Sequence, residues 1–189
     1  MAEFKNITKK YGDKTVLDNF SLTLPKGSKT VIMGKSGCGK TTLLRIAAGL
    51  EKPDDGEFSS DESIALMFQV PRLLHWKTAL ENVLAILPKE QKSLADKYLS
   101  AVGLEEDKNK YPRELSGGMA QRVAFARFLA YAEADGAQLL LLDEPFSALD
   151  DETAAKMLDL IKDFSKDKTL LMVAHHLPDT SFADNIVTL

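Results

Sequence analysis

Hydrophobic and polar positions alternate at the start of the chain. Phe20, Leu22 and Leu24 are separated by Ser21 and Thr23, the period of a strand with one buried face. Phe4–Tyr11 and Val16–Leu24 are therefore expected as strands, joined by a turn at Gly12-Asp13 and closed off by Pro25-Lys26-Gly27. A short apolar strand at Thr30–Met33 runs into three closely spaced glycines, and a helix follows from Gly39 to a stop at Gly49. Pro53–Gly56 is a turn, Phe58 opens a short strand, and Ile64–Phe68 is a clearer one. From Pro71 to about Ala132 the spacing becomes helical, with helices at Ala79–Leu87, Gln91–Val102 and Gly118–Tyr131 and loops at Gly103, Glu105–Lys110 and Pro112. Leu139–Asp143 and Thr169–Ala174 are unbroken apolar runs, the mark of strands covered on both faces. A helix at Asp151–Ser165 lies between them, and Asn185–Leu189 is a last strand. The expected fold class is α/β, with a mixed sheet, an antiparallel β portion at the N-terminus and an inserted helical subdomain. Residues 71–132 form that insert within a single domain whose core is 1–70 and 133–189.

Size and charge narrow the class. The chain has 189 residues and an ordinary apolar fraction, enough for one domain with a sizeable core. The net charge of −4 is of mixed sign without a long basic run, so nucleic acid is not an expected partner. Cys38 is the single cysteine and suits a reducing compartment. The opening MAEFKNITKK lacks the apolar segment of a secretory signal, and no apolar run approaches the ~18–20 residues that span a bilayer. Any work at a membrane is expected to be peripheral, at the cytoplasmic face, with other chains doing the spanning.

The chemistry starts at Gly34-x4-Gly39-Lys40-Thr41, a full P-loop between a strand and a helix. Its glycines leave no side chain between backbone and ligand, so successive N–H groups can turn onto a triphosphate. The helix N-terminus adds unsatisfied donors on the same side. Gly34, Lys35, Ser36, Gly37, Cys38, Gly39, Lys40, Thr41 and Thr42 are the candidate nucleotide contacts, with Cys38 as a small filler. Lys40 brings a full charge to the β/γ-phosphates, and the Thr41 hydroxyl suits Mg2+, which prefers oxygen. At the end of the leucine strand, Asp143 suits the same ion and Glu144 can polarise an attacking water. Ser116, Gly117 and Gly118 precede a helix and form a second anion cradle. An ordinary N-cap explains the serine but not two glycines that cost helix stability. Two phosphate cradles in one chain imply two chains paired head to tail, each closing the other's site.

The set GKSGCGKTT, Gln69, LSGGM, LLLLDEP, SALD and His175 resembles, in order and spacing, the ATP-binding cassette ATPases, the motor subunits of ABC transporters. The resemblance covers Phe4 to Leu189 and implies a P-loop NTPase core that hydrolyses ATP with Mg2+. It makes Tyr11 similar to the aromatic that stacks on adenine, with simple sheet packing as the other reading of that residue. It likens Lys40, Thr41 and Thr42 to the nucleotide and Mg2+ contacts, and Gln69 to the glutamine that senses Mg2+ and the membrane partner. Asp143 resembles the Mg2+-associated aspartate, Glu144 the general base, and His175 the switch histidine at the γ-phosphate. Ser116, Gly117 and Gly118 would contact ATP held by the other subunit, with Asp150 at the seam. His176 stands where the family commonly has aspartate and is given no role.

The segment Phe68-Gln69-Val70-Pro71-Arg72-Leu73-Leu74-His75-Trp76, with Glu81-Asn82-Val83 and Met119, resembles the nitrate, sulfonate and taurine importer branch. That resemblance implies transmembrane permease subunits and, indirectly, a solute-binding protein as partners. Leu73, Leu74 and Trp76 either form an apolar groove for a membrane subunit or pack inside the helical block. Two departures are visible: Gly56–Ile64 is shorter than in the family, so that a strand there is expected to be trimmed, and little chain follows the histidine. Two rivals differ in kind. A non-transport cassette of the repair or chromosome type needs a long coiled coil between Gln69 and Ser116, and there is no room for one. A regulatory module that binds nucleotide without turnover conflicts with an intact Glu144.

Overall fold

The computed structural model of the chain describes residues 1–175, 177 and 179–189. His176 lies outside the described residues. Five parallel strands form the centre: β3 (Lys29–Met33), β5 (Ile64–Met67), β6 (Leu139–Asp143), β7 (Thr169–Val173) and β8 (Asn185–Thr188), in the order β5-β6-β7-β3-β8. A second sheet is antiparallel. Its middle strand β1 (Ala2–Tyr11) pairs with β2 (Lys14–Leu24) on one side and β4 (Asp55–Ser60) on the other.

The single mixed sheet expected from the sequence is thus two sheets, one antiparallel and one parallel. Alternation identifies a buried face but does not say whether that face is covered through edge pairing or through stacking. Here it is stacking. Ala2, Phe4, Ile7, Leu17 and Leu24 pack in one cluster with Leu43, Leu44 and Ile46 of helix α1 (Lys40–Ala47) and with Ile32, Leu139, Leu141, Leu171 and Val173 of the parallel sheet. The alternate residues of the same strands, Val31, Leu140, Leu142, Leu170 and Met172, join the other cluster with the remaining helices. Both faces of β3, β6 and β7 are therefore buried, which explains why those segments read as continuous apolar runs.

The helical block between β5 and β6 contains α2 (Ala79–Leu84), α3 (Ser93–Ala101) and α4 (Gly117–Ala134); α5 (Asp151–Phe164) lies between β6 and β7. Thr78 and Glu81 form a reciprocal cap at the start of α2. This helix ends at Leu84 rather than Leu87, because Ile86 and Leu87 donate three residues back, in the tightened turn that precedes Pro88. The helix expected at Gln91–Val102 is likewise divided into a 3-10 turn at Lys89–Gln91 and α3. The short strand expected to open at Phe58 is β4, which starts at Asp55, and Gly56 lets it approach β1. Gly56 has φ +82°, and a Cβ there would lie 2.4 Å from the carbonyl oxygens of Lys5 and Asn6.

Asn82 in α2 is fully buried and ties down the loop that follows Gln69. Its Oδ1 accepts from Leu74 N at 2.7 Å, and its Nδ2 donates to the carbonyls of Leu74, Lys77 and Thr78 at 3.2, 3.1 and 2.9 Å. Asn82→Ala strands these groups, and is expected to cost about 2–4 kcal/mol and to lower the melting temperature by roughly 5–10 °C, as checked by calorimetric or circular-dichroism melting.

Candidate functional site

Parallel pairing brings the C-terminal ends of β3, β5, β6 and β7 to one edge of the sheet. The residues immediately beyond those ends are the P-loop, Gln69, Glu144 and His175. Ligands of open α/β sheets collect outside that edge. The cavity there holds about 370 Å³ and is lined by Tyr11, Lys14, Val16, Ser36, Gly37, Gly39, Lys40, Thr41, Thr42, Gln69, Glu144 and His175.

The P-loop is folded tightly enough to exclude side chains. Gly39 has φ +105°, and a Cβ on it would lie 2.6 Å from the Val16 carbonyl oxygen. Lys40 is only 5% exposed, and its Nζ donates to the carbonyls of Gly34 at 2.8 Å and Lys35 at 3.0 Å. Its Nζ also lies 3.9 Å from Cys38 Sγ, so the cysteine fills space inside the loop. Ser36 and Gly37 stay exposed at the rim. A buried ammonium whose oxygen partners are two neutral carbonyls has the charge to pair with an anion brought into the cavity.

Thr41 Oγ1 donates to Asp143 Oδ1 at 3.1 Å. Burial pushes the Asp143 carboxyl above its ordinary pKa, the Thr41 hydrogen bond opposes this, neighbouring Glu144 adds to the rise, and Lys40 offsets it. A hydroxyl beside a dehydrated carboxylate, next to a phosphate cradle, is the donor set that suits Mg2+, which keeps waters and takes one or two carboxylates plus phosphate oxygens. The residues thus fit the ion.

Glu144 is held from both sides. Gln69 Nε2 donates to Oε2 at 2.9 Å, and His175 Nε2 lies 3.0 Å from Oε1. Its backbone is left-handed, φ +45°, and its N–H donates to Val173 O at 2.9 Å. A non-glycine residue in that region stores of order 1–3 kcal/mol, which the surrounding bonds must hold. The result is a carboxylate aimed into the cavity beside the Thr41–Asp143 pair.

Ser116, Gly117, Gly118 and Asp150 are not among the residues that line this cavity. Ser116 Oγ caps α4 by accepting from Met119 N at 3.2 Å, and a Cβ on Gly118 would press on Ala148 O at 3.1 Å. Asp150 caps α5, accepting from Thr153 N at 2.9 Å and Thr153 Oγ1 at 2.8 Å; these bonds hold its carboxyl below the usual range. The serine–glycine tip and the 147–150 segment thus adjoin each other, apart from the P-loop cavity of the same chain. The groove beside the helical block, about 380 Å³, is lined by Leu66, Phe68, Leu74, Ile86, Phe128 and Tyr131 among others. The two readings of Leu73, Leu74 and Trp76 divide between them: Leu73 is buried, Leu74 lines the groove, and Trp76 is 71% exposed.

Sequence reasoning missed Lys14, whose Nζ lies 3.5 Å from Gly37 O at the cavity rim. It also missed Arg127 of α4, which donates to Pro71 O at 2.5 Å and Arg72 O at 3.1 Å and so braces the loop after Gln69. Burial lowers the pKa of that guanidinium. No local pattern marks either residue, since both act through contacts distant in sequence.

Comparison with known proteins shows the family and the fold. The profile of the ABC transporter family matches residues 17–147. The aliphatic sulfonates import ATP-binding protein SsuB 1 of Burkholderia lata is 43% identical over 181 residues, 92% of this chain and 56% of that protein. SsuB of Pectobacterium atrosepticum is 41% identical over 96% of this chain and 71% of its own length. Against the first of these relatives the chain spans little more than half the length. Among solved structures, the dimeric bacterial ABC transporter cassette MJ0796 superposes with a TM-score of 0.90 at 33% identity, covering 100% of this chain and 94% of that one. The same cassette in a dimeric post-hydrolysis state bound to ADP and Pi gives 0.88 at 32% identity, with the same coverage. With its P-loop, its parallel core and an antiparallel sheet stacked on it, the chain belongs to the ABC transporter ATP-binding family.

Proposed function

We propose that the chain is the ATP-hydrolysing subunit of an ABC importer and works as an ATP-dependent head-to-tail dimer. The observation that carries the reading is the Glu144 carboxylate, held by Gln69 and His175 beside the Thr41–Asp143 pair and the P-loop lysine. In this reading Tyr11 offers its ring to the base, and Gly34 to Thr42 cradle the phosphates. Thr41 and Asp143, with Gln69 nearby, would hold Mg2+, which would supply charge neutralisation at the phosphates. Lys40 leaves the loop carbonyls for the β/γ-phosphates. Glu144 accepts the proton of the attacking water, and His175 exchanges its contact with Glu144 for the γ-phosphate. Ser116, Gly117 and Gly118 of a second copy close the cavity. The separation of that tip from the chain's own P-loop, together with the dimeric state of the similar cassettes, supports the pairing.

The import role rests on the similar proteins, which are named for the import of aliphatic sulfonates. No helix among the described residues is long and apolar enough to cross a membrane. In this reading permease subunits supply the channel, a solute-binding protein and those subunits select the solute, and this chain docks on their cytoplasmic side. The apolar groove with Leu74 and Ile86 on its wall is the docking surface.

Glu144→Gln is expected to keep ATP affinity and accumulate a dimer with ATP while phosphate release falls by at least ~10²-fold. Undiminished release measured by a phosphate assay contradicts the role of Glu144. Lys40→Ala is expected to weaken ATP binding by about tenfold or more; unchanged affinity by calorimetry rejects it. Asp143→Asn removes a buried charge that the fold disfavours. At pH 7 the nucleotide-free variant is expected to melt about 2–4 °C above wild type while turnover is lost. The raised carboxyl is protonated in both folded and unfolded states at low pH, so this gain should shrink as pH falls toward 4. Melting curves of the two proteins across that range check the direction.

A further inference from the structure

Tyr11 is 47% exposed, yet its hydroxyl is tethered: it donates to Glu51 Oε1. Glu51 is no ordinary surface acid. Its side chain is 14% exposed and faces two cations, Lys9 Nζ at 3.6 Å and Arg45 Nε at 3.5 Å. Its Oε2 is enclosed by protein and has no hydrogen-bond partner among the described residues, only the Arg45 contact. Lys9 is itself fixed by Lys52 O at 2.8 Å and Asp54 Oδ1 at 3.4 Å. Arg45 belongs to the last turn of α1, the helix that opens at Lys40, and its carbonyl accepts from Leu50 N at 2.9 Å and Glu51 N at 3.3 Å. One carboxylate thus joins the end of β1, which carries Tyr11, to the helix that carries the phosphate cradle.

We propose that Glu51 is a positioning residue for recognition of the nucleotide base. It does not touch the nucleotide. It holds the Tyr11 ring at a set offset from the P-loop across the 370 Å³ cavity, so that base and triphosphate are satisfied together. The inference rests on the reading of Tyr11 as the stacking surface. The P-loop backbone grips any polyphosphate, whereas the base is recognised only through the ring. An aromatic side chain at an exposed strand end loses rotamer freedom on stacking, and a charged acceptor on its hydroxyl removes that cost beforehand. A purely structural role for Glu51, gluing β1 to α1, would disturb both halves of the site equally.

The test compares ATP with inorganic tripolyphosphate, both with Mg2+, in wild type, Glu51→Ala, Glu51→Gln, Tyr11→Phe and the Glu51→Ala/Tyr11→Phe double variant. By calorimetry, Glu51→Ala is expected to weaken ATP by ~3–10-fold and to leave tripolyphosphate within about twofold. KM for ATP should rise with kcat nearly unchanged. Tyr11→Phe, which keeps the ring and removes the tether, should match it, and the double variant should be no worse than either single one. Glu51→Gln retains an acceptor and should recover most of the loss. Equal losses for the two ligands, an additive double variant, or unchanged ATP affinity in Glu51→Ala overturns the proposal while leaving base stacking intact. If wild type binds ATP no more tightly than tripolyphosphate, stacking on Tyr11 is wrong and the role of Glu51 falls with it.

Discussion

The constraint on which the rest depends is parallel pairing of strands buried on both faces. In such a sheet every strand runs the same way, so the chain leaves the apolar layer at one edge each time. The residues that follow each strand are then gathered at that edge. β3 delivers the P-loop there, β5 delivers Gln69, β6 delivers Asp143 and Glu144, and β7 delivers His175. The register brings Leu142 beside Met172 and Asp143 beside Val173, so acid and histidine emerge at the same height. The Thr41–Asp143 bond and the Gln69–Glu144–His175 contacts are consequences of that alignment.

The site is polar and strained where the core is apolar and regular. Asp143 is nearly buried with a raised pKa, Glu144 occupies left-handed backbone, and Lys40 is enclosed with carbonyls as its partners. Each of these costs folding free energy. The two hydrophobic clusters on either side of the sheet make that tolerable, because the strands that end in these residues are anchored along their whole length. Stability and function are thus assigned to different parts of the same strands.

Much of this was legible in the sequence, and the limits have physical causes. The leucine run at 139–142 identified a strand covered on both faces, and the glycine spacing at 34–39 marked the tight loop that folds around Lys40. The relation between the antiparallel and parallel strands was not legible, since Phe4, Ile7 and Leu24 bury the same face whether the sheets join edge to edge or stack. Helix ends were misjudged at Leu84, where the apolar spacing continues through Ile86 and Leu87 but the hydrogen bonds tighten ahead of Pro88. Glu51, Arg127 and Lys14 were invisible because their partners lie 40, 55 and 23 residues away, beyond any local pattern. The pairing of two chains was inferred because a single active site rarely needs two phosphate cradles. Gly118 lies beside Ala148, and neither it nor Ser116 lines the P-loop cavity, which supports that inference.

The central claim is that one copy's P-loop and another's serine–glycine tip face each other across a nucleotide. The most direct measurement is a dipolar distance between spin labels on two separately prepared, then mixed populations in a Cys38→Ser/Glu144→Gln background. One carries Asp13→Cys, next in sequence to Lys14 of the cavity wall; the other carries Arg113→Cys, in the 3-10 turn just ahead of Ser116. The account predicts a defined intersubunit coupling that appears with ATP and vanishes without it. Absence of any intermolecular coupling at saturating ATP, with both populations folded and nucleotide-bound, would contradict it.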